Sequence, residues 1–336
     1  MKKLLTLIIC FLLTGTVLAQ DEPTPYDIIL ERILEAEQTN ATRLSYLSGS
    51  DLTEMPPELW ELTNLRELWL AGYNLDTLPP EIGNLVNLEI LFLVNNQLTS
   101  LPPEIGNLSN LRELDLTDNQ LTELPPEIGN LTNLEILRLS SNQLETLPPE
   151  IGNLSNLRIL SVRHNQLTEL PPEIGNLNNL EDLHVSENQL TELPPEIGDM
   201  ENLWVLWAFD NQLTALPPEI GNASRLCSIN VELNQITHLP SELANLSALE
   251  EDVVCGENFS YHSRLYLDLN PLVSPPPEVV AQGTPAILDY LRNRARWHFQ
   301  RIVLAIVSGI VLLIIVITGL RYRQRQILKP KKKHSE

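Results

Sequence analysis

From about residue 42 onward the apolar positions follow a long, fixed cycle instead of a simple helical or strand period. In its fullest form the cycle reads LxxLxLxxNQLTxLPPEIGNLxN, 23 residues long. The second proline of its Pro-Pro pair falls at Pro57, Pro80, Pro103, Pro126, Pro149, Pro172, Pro195 and Pro218, and Pro240-Ser241 continues the series with one substitution. Within one cycle, Leu114 and Leu116 alternate with Asp115, which predicts a short strand that turns its leucines inward. Stacked copies of that strand predict a parallel sheet. The ninth position is Asn96, Asn119, Asn142, Asn165, Asn188, Asn211 and Asn234, where the chain leaves the strand and a buried amide can satisfy turn backbone groups. Pro-Pro-Glu then opens an outer arc, since proline suits a first helical turn and glutamate its positive end. A glycine two residues later predicts short turns there, not long helices.

One unit cannot bury its own apolar edge, so the ends of the array need caps. Tyr26 to Gln38 places Ile28, Ile29, Ile33 and Leu34 at helical spacing, as an N-terminal cap requires. A degenerate unit around Leu47 and Leu52 joins it to the first full repeat. At the other end the register fails, because Asp252 and Glu257 stand where Leu and Asn belong. It returns with Leu265, Leu267, Asn270, Leu272, Pro276, Pro277 and Glu278, displaced by thirteen residues (270 − 257). We therefore expect an insertion over 250–262 and one last repeat after it. Thr284 and Pro285 can then start a helix through Ile287, Leu288 and Leu291.

The 23-residue text over roughly 42–290 resembles the leucine-rich-repeat family, which implies an α/β repeat solenoid: a horseshoe with a concave parallel sheet. The segment NPLVSPPPEVVAQGTPAILDYLRNR, Asn270 to Arg294, is similar to the segment that closes the repeats in Roco-type leucine-rich-repeat proteins. In those a GTPase module follows. Here no glycine-rich phosphate loop ending in Lys-Ser or Lys-Thr is present, so the resemblance carries no nucleotide function.

Two apolar runs flank the repeats. The first twenty residues, with Lys2, Lys3, an apolar stretch from Leu4 to Leu13 and small residues ending at Ala19, predict a signal peptide over 1–19. Ile302 to Leu320 is nineteen residues without a charge, enough helix to cross a hydrocarbon core of about 30 Å. Trp297, Phe299 and Tyr322 flank it, as interfacial aromatics do. Seven cationic residues between Arg321 and Lys333 predict a cytoplasmic tail, against Arg292, Arg294, Arg296 and Arg301 on the outer side. The expected organisation is 1–19 signal peptide, 20–51 N-terminal cap, 52–249 repeats, 250–262 insertion, and 263–300 last repeat, cap and juxtamembrane helix. A transmembrane helix over 301–321 and a basic tail over 322–336 complete it. The expected location is the cell membrane, single-pass, with the repeats extracytoplasmic.

Charge narrows the partners. Residues 20–301 hold 13 Arg, no Lys and 43 Asp plus Glu, a net of −30 (13 − 43). Such a chain repels phosphate backbones, which argues against nucleic acid and favours cationic or mixed-charge partners.

No site chemistry appears beside the repeats. Histidines at 164, 184, 238, 262, 298 and 334 show no zinc spacing, and no nucleophile elbow, metalloprotease helix or dinucleotide glycine pattern occurs. We expect no enzyme activity, no metal and no cofactor. Glutamates from Glu58 to Glu242 recur every 23 residues, but outer-arc turns account for them. The sequons at Asn107, Asn130, Asn153 and Asn245 are by-products of the repeat text unless the chain follows a eukaryotic secretory route.

The variable strand positions are where a partner can be read. The fifth runs Trp69, Phe92, Asp115, Arg138, Ser161, His184, Trp207, Asn230, and the seventh Ala71, Val94, Thr117, Ser140, Arg163, Ser186, Phe209, Glu232. Aromatics and arginine anchor interfaces, so Trp69, Phe92, Asp115, Arg138, Arg163, His184, Trp207 and Phe209 form the candidate ligand surface. The competing account is drift at solvent-facing strand positions, where aromatics have good strand propensity. Two readings follow: a membrane-anchored module that binds a protein or peptide, or an envelope scaffold without a diffusible ligand. A tail of sixteen residues holds no folded effector, so signalling would need a membrane partner.

Cys227 and Cys255 remain once Cys10 leaves with the signal. In an unbroken register about 16 Å of strand would separate them, beyond the ~7 Å limit for bridged Cα atoms. The insertion instead frees Cys255 in a loop, which leaves two outcomes open, a disulfide or two unpaired thiols.

Overall fold

The 23-residue cycle folds into one coil of a solenoid. The computed structural model describes residues 23–45, 52–249, 254–255 and 261–327, with backbone alone at 254, 261–262, 298, 307, 309 and 311–327. The expected signal peptide, Leu47 of the degenerate first unit, most of the insertion (250–253 and 256–260) and the end of the basic tail lie outside these residues. Each cycle contributes a strand of two or three residues: β1 (Arg43–Leu44), β2 (Glu67–Trp69), β3 (Ile90–Phe92), β4 (Glu113–Asp115), β5 (Ile136–Arg138), β6 (Ile159–Ser161), β7 (Asp182–His184), β8 (Val205–Trp207) and β9 (Ser228–Asn230). These pair in sequence order into a parallel sheet, and β12 (Arg264–Tyr266) completes it as the tenth strand. Leu91 faces Leu114, which faces Leu137, and so on at intervals of 23. Leu265 pairs with Ile229 across 36 residues, one cycle plus thirteen.

The extra thirteen residues are not simply a loop. They hold a short antiparallel pair, β10 (Val254–Cys255) with β11 (Tyr261–His262), and Cys255 is fully buried there. The Cys227 and Cys255 sulfurs are bonded at 2.02 Å, with Cα atoms 6.0 Å apart. Val205, Trp204 and Trp207 pack around the bridge.

Three ladders hold the coils in register. Leucines at the first, fourth and sixth positions are wholly buried and form one continuous core. The ninth-position asparagines form the second ladder. Asn142 Oδ1 accepts the Leu121 N–H at 3.0 Å, and its Nδ2 donates to the carbonyls of Leu116 and Leu139, both at 3.0 Å. The Leu139 carbonyl also receives Asn165 Nδ2 at 2.9 Å, so one oxygen ties two neighbouring asparagines together. Asn270 closes this ladder on Val231 and Ile236. At its opposite end Tyr73 replaces asparagine, and its backbone N–H donates to Asn96 Oδ1. Burial pushes the Tyr73 hydroxyl up to about 12 against the opposing pull of Arg32.

The third ladder is made of glycine. Each Pro-Glu-Ile-Gly-Asn run forms a 3-10 turn, for example Pro149–Asn153. A Cβ on Gly152 would sit 2.4 Å from the Glu173 carbonyl oxygen of the next coil, and Gly129 and Gly175 are similarly closed at 2.5 and 2.7 Å. Only hydrogen at this position lets the outer turns stack this closely. The first turn carries Trp60 instead, and beside it a groove of about 640 Å³ opens between Tyr26, Met55, Leu78 and Glu81.

Helices close both ends. α1 (Pro25–Thr39) buries Ile29, Ile33 and Ala36 against the first coil. The Thr24 hydroxyl accepts the Asp27 N–H, and hydrogen bonds from the Thr24 hydroxyl and then its N–H hold the Asp27 carboxyl below its ordinary value. α2 (Pro277–Val280) leads to α3 (Thr284–Ile327), which buries Ile287, Leu288 and Leu291 on the last coil. Arg292 donates from Nε and Nη2 to the Ala244 carbonyl at 3.2 and 3.1 Å, and Arg294 Nη1 donates to Ser274 Oγ at 2.6 Å. The backbone of α3 continues through the expected span, 301–321. Among the described residues no helix is long and apolar enough to cross a membrane, and the side chains from 311 onward lie outside those residues.

Candidate functional site

Alternation along each strand decides what the concave face displays. Leu68 and Leu91 point into the core, so their neighbours on either side point out together. The fifth-position residues Trp69, Phe92, Asp115, Arg138, His184 and Trp207 therefore end their strands on one face, and they are half-buried. Arg163 and Phe209 continue that face two residues later.

Contacts sort the eight candidates into three groups. At the N-terminal end the Trp69 and Phe92 rings meet edge to face, centroids 4.8 Å apart, with the Arg43 guanidinium 5.0 Å above Trp69. Such pairs prefer this geometry because a ring edge is positive and a ring face negative. In the middle, Arg138 is held by Glu113 and lies 3.7 Å from Asp115 Oδ2. Toward the C-terminal end His184 stacks on Trp207, centroids 4.6 Å apart and planes 4° from parallel, while His184 Nε2 lies 2.7 Å from Asp182 Oδ1. Arg163 sits 5.5 Å over the Phe209 ring and pairs with Glu187, which also meets His164 Nδ1 at 3.2 Å. The face thus offers aromatic surface at both ends, separated by charges already fixed by partners.

Two features of this face lie outside positions five and seven. The third position also belongs to this face, adding Glu67, Ile90, Glu113, Ile136, Ile159 and Asp182; the same period-two alternation could have found it. The inserted pair β10–β11 is the other. Its bridge packs against Val205 and Trp207, so Trp207 is an anchor set against a wall, not a lone projecting ring. Cys227 and Cys255 are therefore structural neighbours of the candidate surface.

Among the described residues no group of three or more His, Cys, Asp or Glu is arranged to hold a metal ion.

Comparisons with known proteins agree with this architecture. A model described as leucine-rich repeat region matches residues 103–186 and 149–251, and one described as leucine rich repeat matches 63–121. Together they run from 63 to 251. A comparison with curated protein sequences found no match. Among solved structures, the chain is similar to a leucine-rich-repeat protein of Leptospira interrogans: 28% identity, 75% of this chain and 84% of that one, TM-score 0.49. It is similar also to the ectodomain of the plant membrane receptor kinase GASSHO1/SCHENGEN3 from Arabidopsis thaliana in complex with CASPARIAN STRIP INTEGRITY FACTOR 2: 33% identity, 64% of this chain and 27% of that one, TM-score 0.58. A third is the plant peptide hormone receptor RGFR1 in complex with RGF2: 31% identity, 71% and 38%, TM-score 0.60. The chain spans 27% and 38% of the lengths of the two plant proteins. With the repeat text, the parallel sheet, the asparagine ladder and the family models all in agreement, the chain belongs to the leucine-rich-repeat proteins.

Proposed function

We propose that this chain is a membrane-anchored binding module that captures a protein or peptide on the concave face of its sheet. The observation that carries the reading is the C-terminal group of that face, where Trp207, His184, Phe209 and Arg163 present aromatic surface held by ring and ion contacts. Interface anchors of this type are effective because little rotamer freedom is left to lose on binding. The similarity to a plant receptor kinase ectodomain and a plant peptide hormone receptor, each solved in complex with a partner, supports the same reading, as does an acidic repeat region that attracts cationic partners. The reading involves no catalysis and no cofactor.

Proximity labelling around the repeats, carried out in the native host, tests it. One recurrent partner is expected, and changing Trp207→Ala with Phe209→Ala should weaken its capture by about 2 kcal/mol, about thirtyfold. Because Trp207 also packs on the bridge, Phe209→Ala alone serves as a control that leaves that packing intact. Unchanged capture in both variants would favour drift of the concave residues, and a diffuse set of envelope proteins would favour the scaffold.

The membrane part of the reading rests on the uncharged run from Ile302 to Leu320 and the basic residues after it. Two of the four arginines on the outer flank, Arg292 and Arg294, bond to the last coils, which accounts for cations on that side. The Roco-like closing segment enters the reading only as the cap that α2 and α3 form. Protease added to intact cells or spheroplasts should remove residues 20–300. Protection of the repeats with loss of the tail would overturn the orientation.

A further inference from the structure

The second position of the cycle, at the start of each strand, lies on a lateral face that the concave site does not use. Its residues run Arg66, Glu89, Arg112, Glu135, Arg158, Glu181, six rungs of strictly alternating charge. The uncharged Thr42 and Trp204 bound the series. Within the chain the rungs pair toward the next coil: Arg66 with Glu89 at 2.7 Å, Arg112 with Glu135 at 3.1 Å and Arg158 with Glu181 at 2.9 Å. These pairs do not use up the ladder. The Arg66 and Arg112 side chains stay 63% exposed and their glutamates 36% and 37%. Alongside runs a second row of asparagines, in which Asn133 Nδ2 donates to the Ser109 carbonyl and Asn156 Nδ2 to the Thr132 carbonyl, both at 2.8 Å. The two rows border an open groove of about 510 Å³.

We propose that this face docks against a second copy of the chain, the two ladders running antiparallel about a two-fold axis between Arg112 and Glu135. Charge complementarity selects this partner. An alternating series with an even number of rungs becomes its own complement when reversed, so Arg66 meets the partner's Glu181, Glu89 the partner's Arg158 and Arg112 the partner's Glu135. Isologous pairing requires this self-complementarity, which most surfaces lack. A slip of one rung, or parallel ladders, sets like charge on like, so the pattern also fixes register and direction. The rest of the repeat region argues for the same occupant. With 13 Arg against 43 acidic residues it repels its own copy almost everywhere, whereas these six rungs sum to zero and hold three of those arginines. At a strand spacing of ~4.8 Å the ladder is about 24 Å long, long enough for a small, polar interface. Exposed ion pairs contribute little each, so the association should be weak and salt-sensitive.

The test uses the full-length chain in detergent, carrying two different tags, with capture of one tagged form by the other. Wild type should capture wild type at low salt, and capture should fall at 0.5 M salt (roughly a 4 Å screening length). A reversed ladder, with Arg66→Glu, Arg112→Glu, Arg158→Glu, Glu89→Arg, Glu135→Arg and Glu181→Arg, keeps every pair inside the chain with its sign exchanged. It should capture itself as wild type does, whereas a ladder made acidic throughout by Arg66→Glu, Arg112→Glu and Arg158→Glu should lose self-capture about tenfold or more. Association through the apolar segment of α3 would leave self-capture of the acidic ladder unchanged. Unchanged self-capture of the acidic ladder, no self-capture of wild type, or a folded reversed form that fails to capture itself would each overturn the proposal. If the sixfold variant does not fold, Arg112→Glu decides alone. It stands beside the axis, so one substitution introduces two like-charge contacts, and unchanged self-capture would refute the interface.

Discussion

Asn142→Ala should destabilise the solenoid by about 3–4 kcal/mol, measured as a fall in the urea midpoint and as faster amide exchange in the coils on either side. The truncation leaves the buried Leu121 N–H without an acceptor, a cost of ~1–3 kcal/mol, and removes one of two donors from each of the Leu116 and Leu139 carbonyls. Those oxygens keep Asn119 and Asn165, so their share is smaller. Asn156→Ala is the matched control. It gives up a single exposed bond to the Thr132 carbonyl and should change stability by less than ~1 kcal/mol. Exchange localised to coils around residue 142 is the sharper readout, because stability in a repeat array is a sum of local terms. Equal effects of the two substitutions would mean that burial does not decide which asparagine ladder matters.

The second large effect is expected at Gly152→Ala, about 3 kcal/mol for a single added methyl. The obstacle is backbone: the new carbon would stand 2.4 Å from the Glu173 carbonyl oxygen and 2.9 Å from its Cβ, neither of which can rotate away. Relief requires the outer turns to separate, which loosens Ile151 and Ile174 in the core. The molecule holds its own comparison. Trp60 stands at this place in the first turn, next to the groove against the second, and Ala244 stands there in the last turn, against which α3 packs. A melting temperature unchanged by Gly152→Ala would show that the coils yield easily, and the stacking argument would fail.

Much of this architecture is legible in the sequence, because it follows from a period. The inward leucines, the role of Asn142, the short outer turns after Pro-Pro-Glu and the thirteen-residue offset before Leu265 all derive from position within the cycle. The rest depends on direction between coils, which a period does not state. Gly152 reads as a turn residue, and only the closeness of Glu173 shows it to be a spacer. Asn156 looks like repeat text until its amide is seen on the preceding coil. Arg138, Arg163 and His184 read as free anchors, yet each meets a carboxylate on its own or a neighbouring coil. The thirteen-residue offset places Cys255 in a loop, and backbone pairing with Tyr261 instead makes its segment a strand.

The sameness of the ladders also bears on how the chain reaches this state. From the second coil to the eighth, every seam offers the same glycine opposite the same glutamate and nearly the same asparagine contacts, so any coil can dock on almost any other. Omitting one coil and looping out its 23 residues forfeits two seams and makes a new, equally good one, and the closure entropy of so short a loop is modest. Such slipped arrays are competing minima close in energy to the native one. What separates them is found at the ends, where α1 fits only the coil bearing Trp60 and the bridged β10–β11 pair fits only beside Trp204 and Trp207. Proofreading of the register therefore falls to the least repetitive parts of the molecule.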